Sequence, residues 1–376
     1  MNQKTPIHTH MPPDVGAWKS AEQSAKRDRE LLLLVLGALA MLILLLSLFV
    51  PIAWRRAHAD AAAWEEKHPQ TEAGEEKGGE GADPDRPDTP DRTTELPVSN
   101  EIRAEDYMPV TSDATQIISE AVLDASHAIL VDLTTCEAVA QRLPDERIYP
   151  ASMTKIMTVL VAVEALSAAE LETTFTMTEE IVNDAIREGA SRAGFEPGER
   201  VKLIDLLYGA ALPSGADATA ALAQYLAGSE EKYVEMMNEK AELLGLKQTH
   251  FVNASGLHHD DHYSTVREIA ALMSYAMENE LCRALLSAAS YTTSATTEHP
   301  YGITLYSTTF SRMTTTSFGP VQVIAGKTGY TEEARFCLAT LATRADGREY
   351  VLVTVGGSTK YAPVYDCDTM YGKYLF

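Results

Sequence analysis

From Leu31 to Val50 every residue is apolar, Gly or Ser, and Pro51, Ile52, Ala53 and Trp54 carry the run to Arg55. A helix of that length rises far enough to cross a hydrocarbon core. A cleaved signal peptide and a buried core helix are the competing readings. A secretory apolar region is shorter and is followed by a small-residue cleavage site, whereas Trp54 before Arg55 and Arg56 has the character of an interfacial anchor. Residues 31–54 are therefore read as an uncleaved transmembrane signal anchor. Residues 1–30 are polar and carry Lys19, Lys26, Arg27 and Arg29 close to the run. The positive-inside rule then favours a cytoplasmic tail, a single pass through the cell membrane and an extracytoplasmic remainder.

The stretch beyond the apolar run cannot fold by itself. Between His58 and Asp106 fifteen Asp or Glu stand against five Lys or Arg, interleaved with residues such as Gly78, Gly79, Pro84 and Pro87. Such a segment buries too little apolar surface to offset its ordering entropy, and its charge extends it. Residues 55–113 are expected to be a disordered acidic linker. Its acids account for much of the net charge of -23, which argues against a nucleic-acid partner. The Glu65-x-x-His68 pair within it offers no cage for a metal.

Residues 114–376 have globular composition and suffice for one sizeable domain. Ala128–Leu133 and Glu137–Ala140, across Thr134-Thr135, read as a hairpin. Helices are expected at Met153–Leu166, Leu203–Leu212, Ala216–Ala227, Glu230–Leu243 with Gly245 as its stop, and Thr265–Met277, where Thr265-Val266-Arg267-Glu268 matches a capping box. Strands return at Val321–Ala325, Phe336–Thr343 and Tyr350–Val355, and Val364–Tyr374 closes as a helix. The pattern predicts an α+β domain in which the first and last strands share one antiparallel sheet covered by helices.

Ser152-Met153-Thr154-Lys155 heads the first of these helices. Residues three apart lie on one helix face, so the Ser152 hydroxyl and Lys155 amine can meet, a nucleophile beside a base. Ser229-Glu230-Glu231-Lys232 has the same spacing, but its serine follows Gly228 and precedes two acids, which reads as a helix N-cap. What distinguishes the first copy is Ser214-Gly215-Ala216 and Lys327-Thr328-Gly329 further along.

In that order these three motifs resemble the active site of penicillin-binding proteins and serine β-lactamases. More narrowly, Pro150–Thr158 and Gly326–Thr331 are similar to the low-molecular-mass serine D-alanyl-D-alanine carboxypeptidases, and so are Leu203–Leu207, Asn253–Leu257 and His262–Thr265. The resemblance implies a β-lactamase/transpeptidase-like fold with a five-stranded antiparallel sheet, flanking helices and an all-helical subregion. It further implies that Ser152 attacks a peptide ending in D-Ala-D-Ala, that Lys155 takes its proton, and that Ser214 relays a proton to the departing D-alanine. Lys327 would depress the pKa of Lys155 and attract the substrate carboxylate, Thr328 would bind that carboxylate, and the N–H groups of Ser152 and Tyr330 would form the oxyanion hole. Gly329 completes the third motif. No metal or organic cofactor is implied; β-lactams are the expected covalent inhibitors and peptidoglycan stem peptides the substrate. Many such enzymes carry a further C-terminal β-domain; its lack is expected here, with the N-terminal span taking over anchoring.

Two positions depart from the family. Ala216 stands where an asparagine usually follows the middle serine, which keeps a catalytically weak binding module of the same fold as an alternative. Arg335 follows Ala334 where glycine is common. A β-lactamase would need a placed base; Glu196 and Glu199 are present without a matching signature. His258, His259, Asp260, Asp261 and His262 invite a metal reading, but adjacent ligands on a short loop rarely converge. Cys337 and Cys367, in an apolar strand and the closing helix, are expected to be buried thiols; Cys136 and Cys282 are not assigned.

Overall fold

Ala128–Val131 is continuously aliphatic rather than alternating, the signature of a strand covered on both faces. In the computed structural model, which describes residues 106–375, these four residues are fully buried in an inner strand of the main sheet. The expected tail, membrane span and most of the linker lie outside the described residues, among which no helix is long and apolar enough to cross a membrane. Packing begins before position 114. The Tyr107 hydroxyl donates to Glu278 at 2.6 Å, and Val110 bridges to Glu137.

The strands are β1 (Gln116–Ile117), β2 (His127–Asp132), β3 (Glu137–Arg142), β4 (Thr174–Thr176), β5 (Arg200–Lys202), β6 (Ser290–Thr292), β7 (Thr304–Tyr306), β8 (Ser317–Phe318), β9 (Val321–Thr331), β10 (Arg335–Arg344) and β11 (Glu349–Gly357). The main sheet has seven strands in the order β1-β3-β2-β11-β10-β9-β8, and β4-β5 and β6-β7 are separate two-stranded ribbons. The expectation of a five-stranded antiparallel sheet is thus corrected. Its five central strands are antiparallel, but β1 adds a parallel edge on β3, and β8 adds an antiparallel one on β9. Both extra strands are two residues long, too short to show a period of two in sequence. The expected union of chain ends holds: β11 lies on β2 with Val351 opposite Val131.

The helices are α1 (Lys155–Ala165), α2 (Glu179–Arg187), α3 (Leu203–Ala211), α4 (Ala216–Ala227), α5 (Glu230–Leu243), α6 (Val266–Ala276), α7 (Glu280–Ser287) and α8 (Ala362–Tyr374). Burial continues without a gap from Lys155 to Val163 in α1, which explains why its sequence lacks a polar stripe. Ser229 caps α5 by accepting from Lys232 N at 3.3 Å, as its sequence context predicts. Thr265 caps α6, accepting from Glu268 N at 3.1 Å; the Glu268 carboxylate turns instead to Gln248 N and the Thr249 hydroxyl. Helices α2 and α7 went unread because they are short and bury only a few residues each, Val182 and Ala185 in α2 and Cys282, Leu285 and Leu286 in α7. One core fills the space between one sheet face and helices α1–α7, and a smaller one lies under α8 on the other face. All four cysteines are free, and burial pushes the Cys337 and Cys367 thiols up to about 12.

Candidate active site

Ser152 lies in a 3-10 turn (Ala151–Thr154) that runs directly into α1. Ala151 has φ +47°, a left-handed conformation that a side chain rarely adopts and that neighbours must hold in place. Those neighbours are close. A Cβ at Gly256, itself at φ +79°, would overlap the Ala151 carbonyl oxygen. One at Gly329 would lie 3.0 Å from the Pro150 carbonyl oxygen and 3.2 Å from Ser152 N. Only glycine lets the 253–257 turn and strand β9 come so near the serine backbone.

Lys155 is fully buried at the start of α1. Its Nζ lies 3.2 Å from Ser152 Oγ and donates to the Ser255 carbonyl oxygen at 2.5 Å. Burial lowers its pKa to about 7, against the carboxylates of Asp217 and Glu230, which push it back up. An amine near that value is substantially neutral at neutral pH and can accept a hydroxyl proton. The expected cause was different: Lys327 was to hold Lys155 neutral. Burial does that work, and the repulsion is felt by Lys327, whose pKa falls well below its usual value through burial first, then through Lys155 and Arg312.

Lys327 sits inside β9 opposite Ala339 of β10, and its Nζ donates to Ser214 Oγ at 2.9 Å and to the Thr328 carbonyl oxygen at 3.0 Å. Ser214 is buried and has φ +67°, in the turn between α3 and α4. Thr328 and Thr308 share a hydrogen bond of 2.7 Å between their hydroxyls. From Gly326 onward β9 pairs with β10 only; β8 pairs with Val321 and Gln322 alone, which leaves the rest of that strand edge without a strand partner beside Ser152. Tyr330 projects outward, 47% exposed, with its ring 4.4 Å from that of Phe336.

Ala216 begins α4, 7% exposed, and its N–H donates to the Ser191 carbonyl oxygen at 2.7 Å. Asp217 does not replace the missing amide, because its carboxylate accepts from Ala193 N and Gly194 N. Arg335 occupies φ +58°, which is why glycine suits that place, and its side chain is exposed. Glu199 is committed to the Thr296 hydroxyl, His299 and Glu196 N, and Glu196 is exposed. His262 is buried, its Nδ1 accepting from Val252 N and its Nε2 lying 2.7 Å from the Thr154 hydroxyl; burial lowers its pKa to about 3. His259 Nδ1 accepts from Asp261 N, and His258 faces Asp260 and Glu333. Among the described residues, no three His, Cys, Asp or Glu side chains converge as they would on a metal ion.

Three participants were missed from sequence. The Ser255 carbonyl holds Lys155. Glu230 accepts from Ala254 N at 2.8 Å and so braces that turn, although it belongs to the motif set aside as an N-cap. Arg312, in a 3-10 turn before β9, acts on Lys327 by charge. The family-like stretch Asn253–Leu257 was the legible signal for this turn; a main-chain carbonyl leaves none of its own.

A sequence profile described as D-alanyl-D-alanine carboxypeptidase, Peptidase_S11, matches residues 114–359. Among curated relatives, the D-alanyl-D-alanine carboxypeptidase DacF of Bacillus subtilis is 35% identical over 246 residues, 64% of this chain and 59% of its own length. The chain thus spans about three-fifths of that relative. Among solved structures, the Streptomyces K15 DD-transpeptidase superposes with TM-score 0.61 at 27% identity, covering 69% of this chain and 100% of that one. A D-alanyl-D-alanine carboxypeptidase from Mycobacterium tuberculosis does so with TM-score 0.58 at 25% identity, covering 70% and 94%. With its three motifs gathered at one strand edge and the family profile matched over most of the described residues, the chain belongs to the D-alanyl-D-alanine carboxypeptidase family of serine peptidases.

Proposed function

We propose that this chain is a membrane-anchored serine carboxypeptidase that removes the terminal D-alanine from peptidoglycan stem peptides. The observation that carries the reading is the Ser152 hydroxyl 3.2 Å from a fully buried lysine whose pKa is lowered to about 7. Neutral Lys155 takes the Ser152 proton as Oγ attacks the carbonyl between the last two residues. The N–H groups of Ser152 and Tyr330 receive the developing oxyanion, an interaction whose loss typically costs about a hundredfold or more in rate. Ser214 passes a proton to the nitrogen of the departing D-alanine, and water then hydrolyses the ester. The substrate lies along the open edge of β9, with its terminal carboxylate at Thr328. Arg312 supplies permanent positive potential on that side, and Lys327 adds to it when protonated. No step calls for a metal or an organic cofactor. β-Lactams, which present an equivalent carbonyl and carboxylate, acylate Ser152.

The remaining architecture belongs to the same proposal: tail 1–30, membrane span 31–54, the acidic linker expected over 55–113, whose last residues from Tyr107 pack on the domain, and an extracytoplasmic catalytic domain to 376.

The deciding experiment is release of D-alanine from a synthetic pentapeptide by the full-length chain, compared with Ser152→Ala. Release by the native chain and its loss in the variant are expected; equal release by both removes Ser152 from the chemistry. Ala216 supports a second reading, a weak binding module, because no amide replaces it. Ala216→Asn restores a contact of about 1–3 kcal/mol and is expected to raise D-alanine release if its absence limits the native chain. Slow acylation in the native chain that is unaffected by the amide would favour the binding module.

A further inference from the structure

A groove of about 390 Å³ opens beside the site, lined by Pro213, Leu305, Tyr306, Thr308, Ser311 and Arg312 among others. It includes one of the anchors proposed for the departing group, Arg312, and a neighbour of each of the other two. Pro213 precedes Ser214, Thr308 is hydrogen-bonded to Thr328, and the charge of Arg312 acts on Lys327. A leaving residue with its nitrogen at Ser214 and its carboxylate at Thr328 and Arg312 would have its Cα between those anchors, beside the groove walls formed by Pro213 and Thr308. The D-alanine side chain is a methyl group, about the size of a water molecule, whose share of liquid volume is ~30 Å³. The groove has the volume of a small-molecule site and walls of proline, leucine and tyrosine. D-Alanine leaves most of it empty.

We infer that this groove receives the side chain of the substrate's C-terminal residue, so that the chain releases apolar D-residues larger than alanine as well as D-alanine itself. The inference rests on the carboxypeptidase reading above and extends its substrate class. The bond changes are the same. Ser152 Oγ bonds to the carbonyl carbon of the penultimate residue, and the C–N bond to the terminal residue breaks. The terminal amine leaves with the proton that came from Ser152, and water then splits the ester. Only the departing residue differs. Tyr306 is 62% exposed on β7, and Ser311 is exposed in the 3-10 turn, so each can be changed without disturbing the core.

The test compares diacetyl-L-Lys-D-Ala-D-Ala with diacetyl-L-Lys-D-Ala-D-Leu on the full-length chain, with chromatography of the released amino acid. A site shaped for a methyl group rejects each extra methylene by about tenfold or more, so D-leucine would be lost by several orders of magnitude. The groove instead predicts a kcat/KM ratio of D-Leu to D-Ala substrate above about 0.1. Ser311→Trp, which fills the groove, and Tyr306→Ala, which removes a wall, are each expected to lower that ratio by about tenfold. A native ratio below that threshold, or a ratio unchanged in both variants, overturns the inference while D-alanine release leaves the carboxypeptidase reading standing. Release of neither residue overturns both.

Discussion

The Ser214 hydroxyl accepts a 2.9 Å hydrogen bond from Lys327 Nζ, and both side chains are buried. The contact joins the turn after α3 to the middle of β9, and it holds the hydroxyl at a left-handed residue that has no local reason to adopt that conformation. Ser214→Ala is expected to lower kcat for D-alanine release by about 10²–10⁴-fold, the range for a lost proton-transfer group. Its melting temperature should fall only slightly, because Lys327 keeps the Thr328 carbonyl. Turnover close to native in that variant would take Ser214 out of the proton path.

With Lys155 as the proposed base, the pH dependence of acylation follows its titration. Its pKa is lowered from the ordinary lysine value to about 7, so the neutral base is populated above that pH and lost below it. The rate of Ser152 acylation by a labelled penicillin should therefore rise through about pH 7 and level off. A rate still climbing steeply above pH 9, about two units past that midpoint, would mean an ordinary lysine.

Gly256 and Gly347 both have positive φ, but only the first has a neighbour within contact of an added Cβ. Gly347→Ala should cost about 1 kcal/mol, the left-handed penalty alone. Gly256→Ala forces the Ala151 carbonyl away and should cost about 3 kcal/mol or more while slowing acylation of the adjacent Ser152. Urea unfolding of the two variants compares them directly. Equal losses would mean that the 253–257 turn does not hold the nucleophile.

His262 ties the start of α1 to the segment at Val252 as a neutral ring. Its folded pKa of about 3 lies below the unfolded value, so the unfolded chain binds the proton more readily. The stability it contributes is complete above about pH 6.5 and is lost as pH falls toward 3. In His262→Gln the slope of unfolding free energy against pH over that window should flatten. An unchanged slope would assign the acid sensitivity to other groups.

Much of the scaffold was legible because its signals are local. Helices α4 and α5 begin and end where sequence placed them; Gly228 stops α4 and Ser229 caps α5, and both signals act within one turn. The same locality separated the two Ser-x-x-Lys spacings: Ser229 spends its hydroxyl on its own helix, while Ser152 meets Lys155. The sheet count failed at β1 and β8 because two-residue strands exist only through their partners.

By itself the sequence determined which groups stand one helical turn apart, and hence that a hydroxyl and an amine are neighbours at the head of α1. Tertiary structure alone decided that the amine is buried and its pKa lowered to about 7. Its pKa depends on burial beneath the Ser255 carbonyl and on carboxylates from α4 and α5, and desolvation is a property of surroundings assembled from distant parts of the chain.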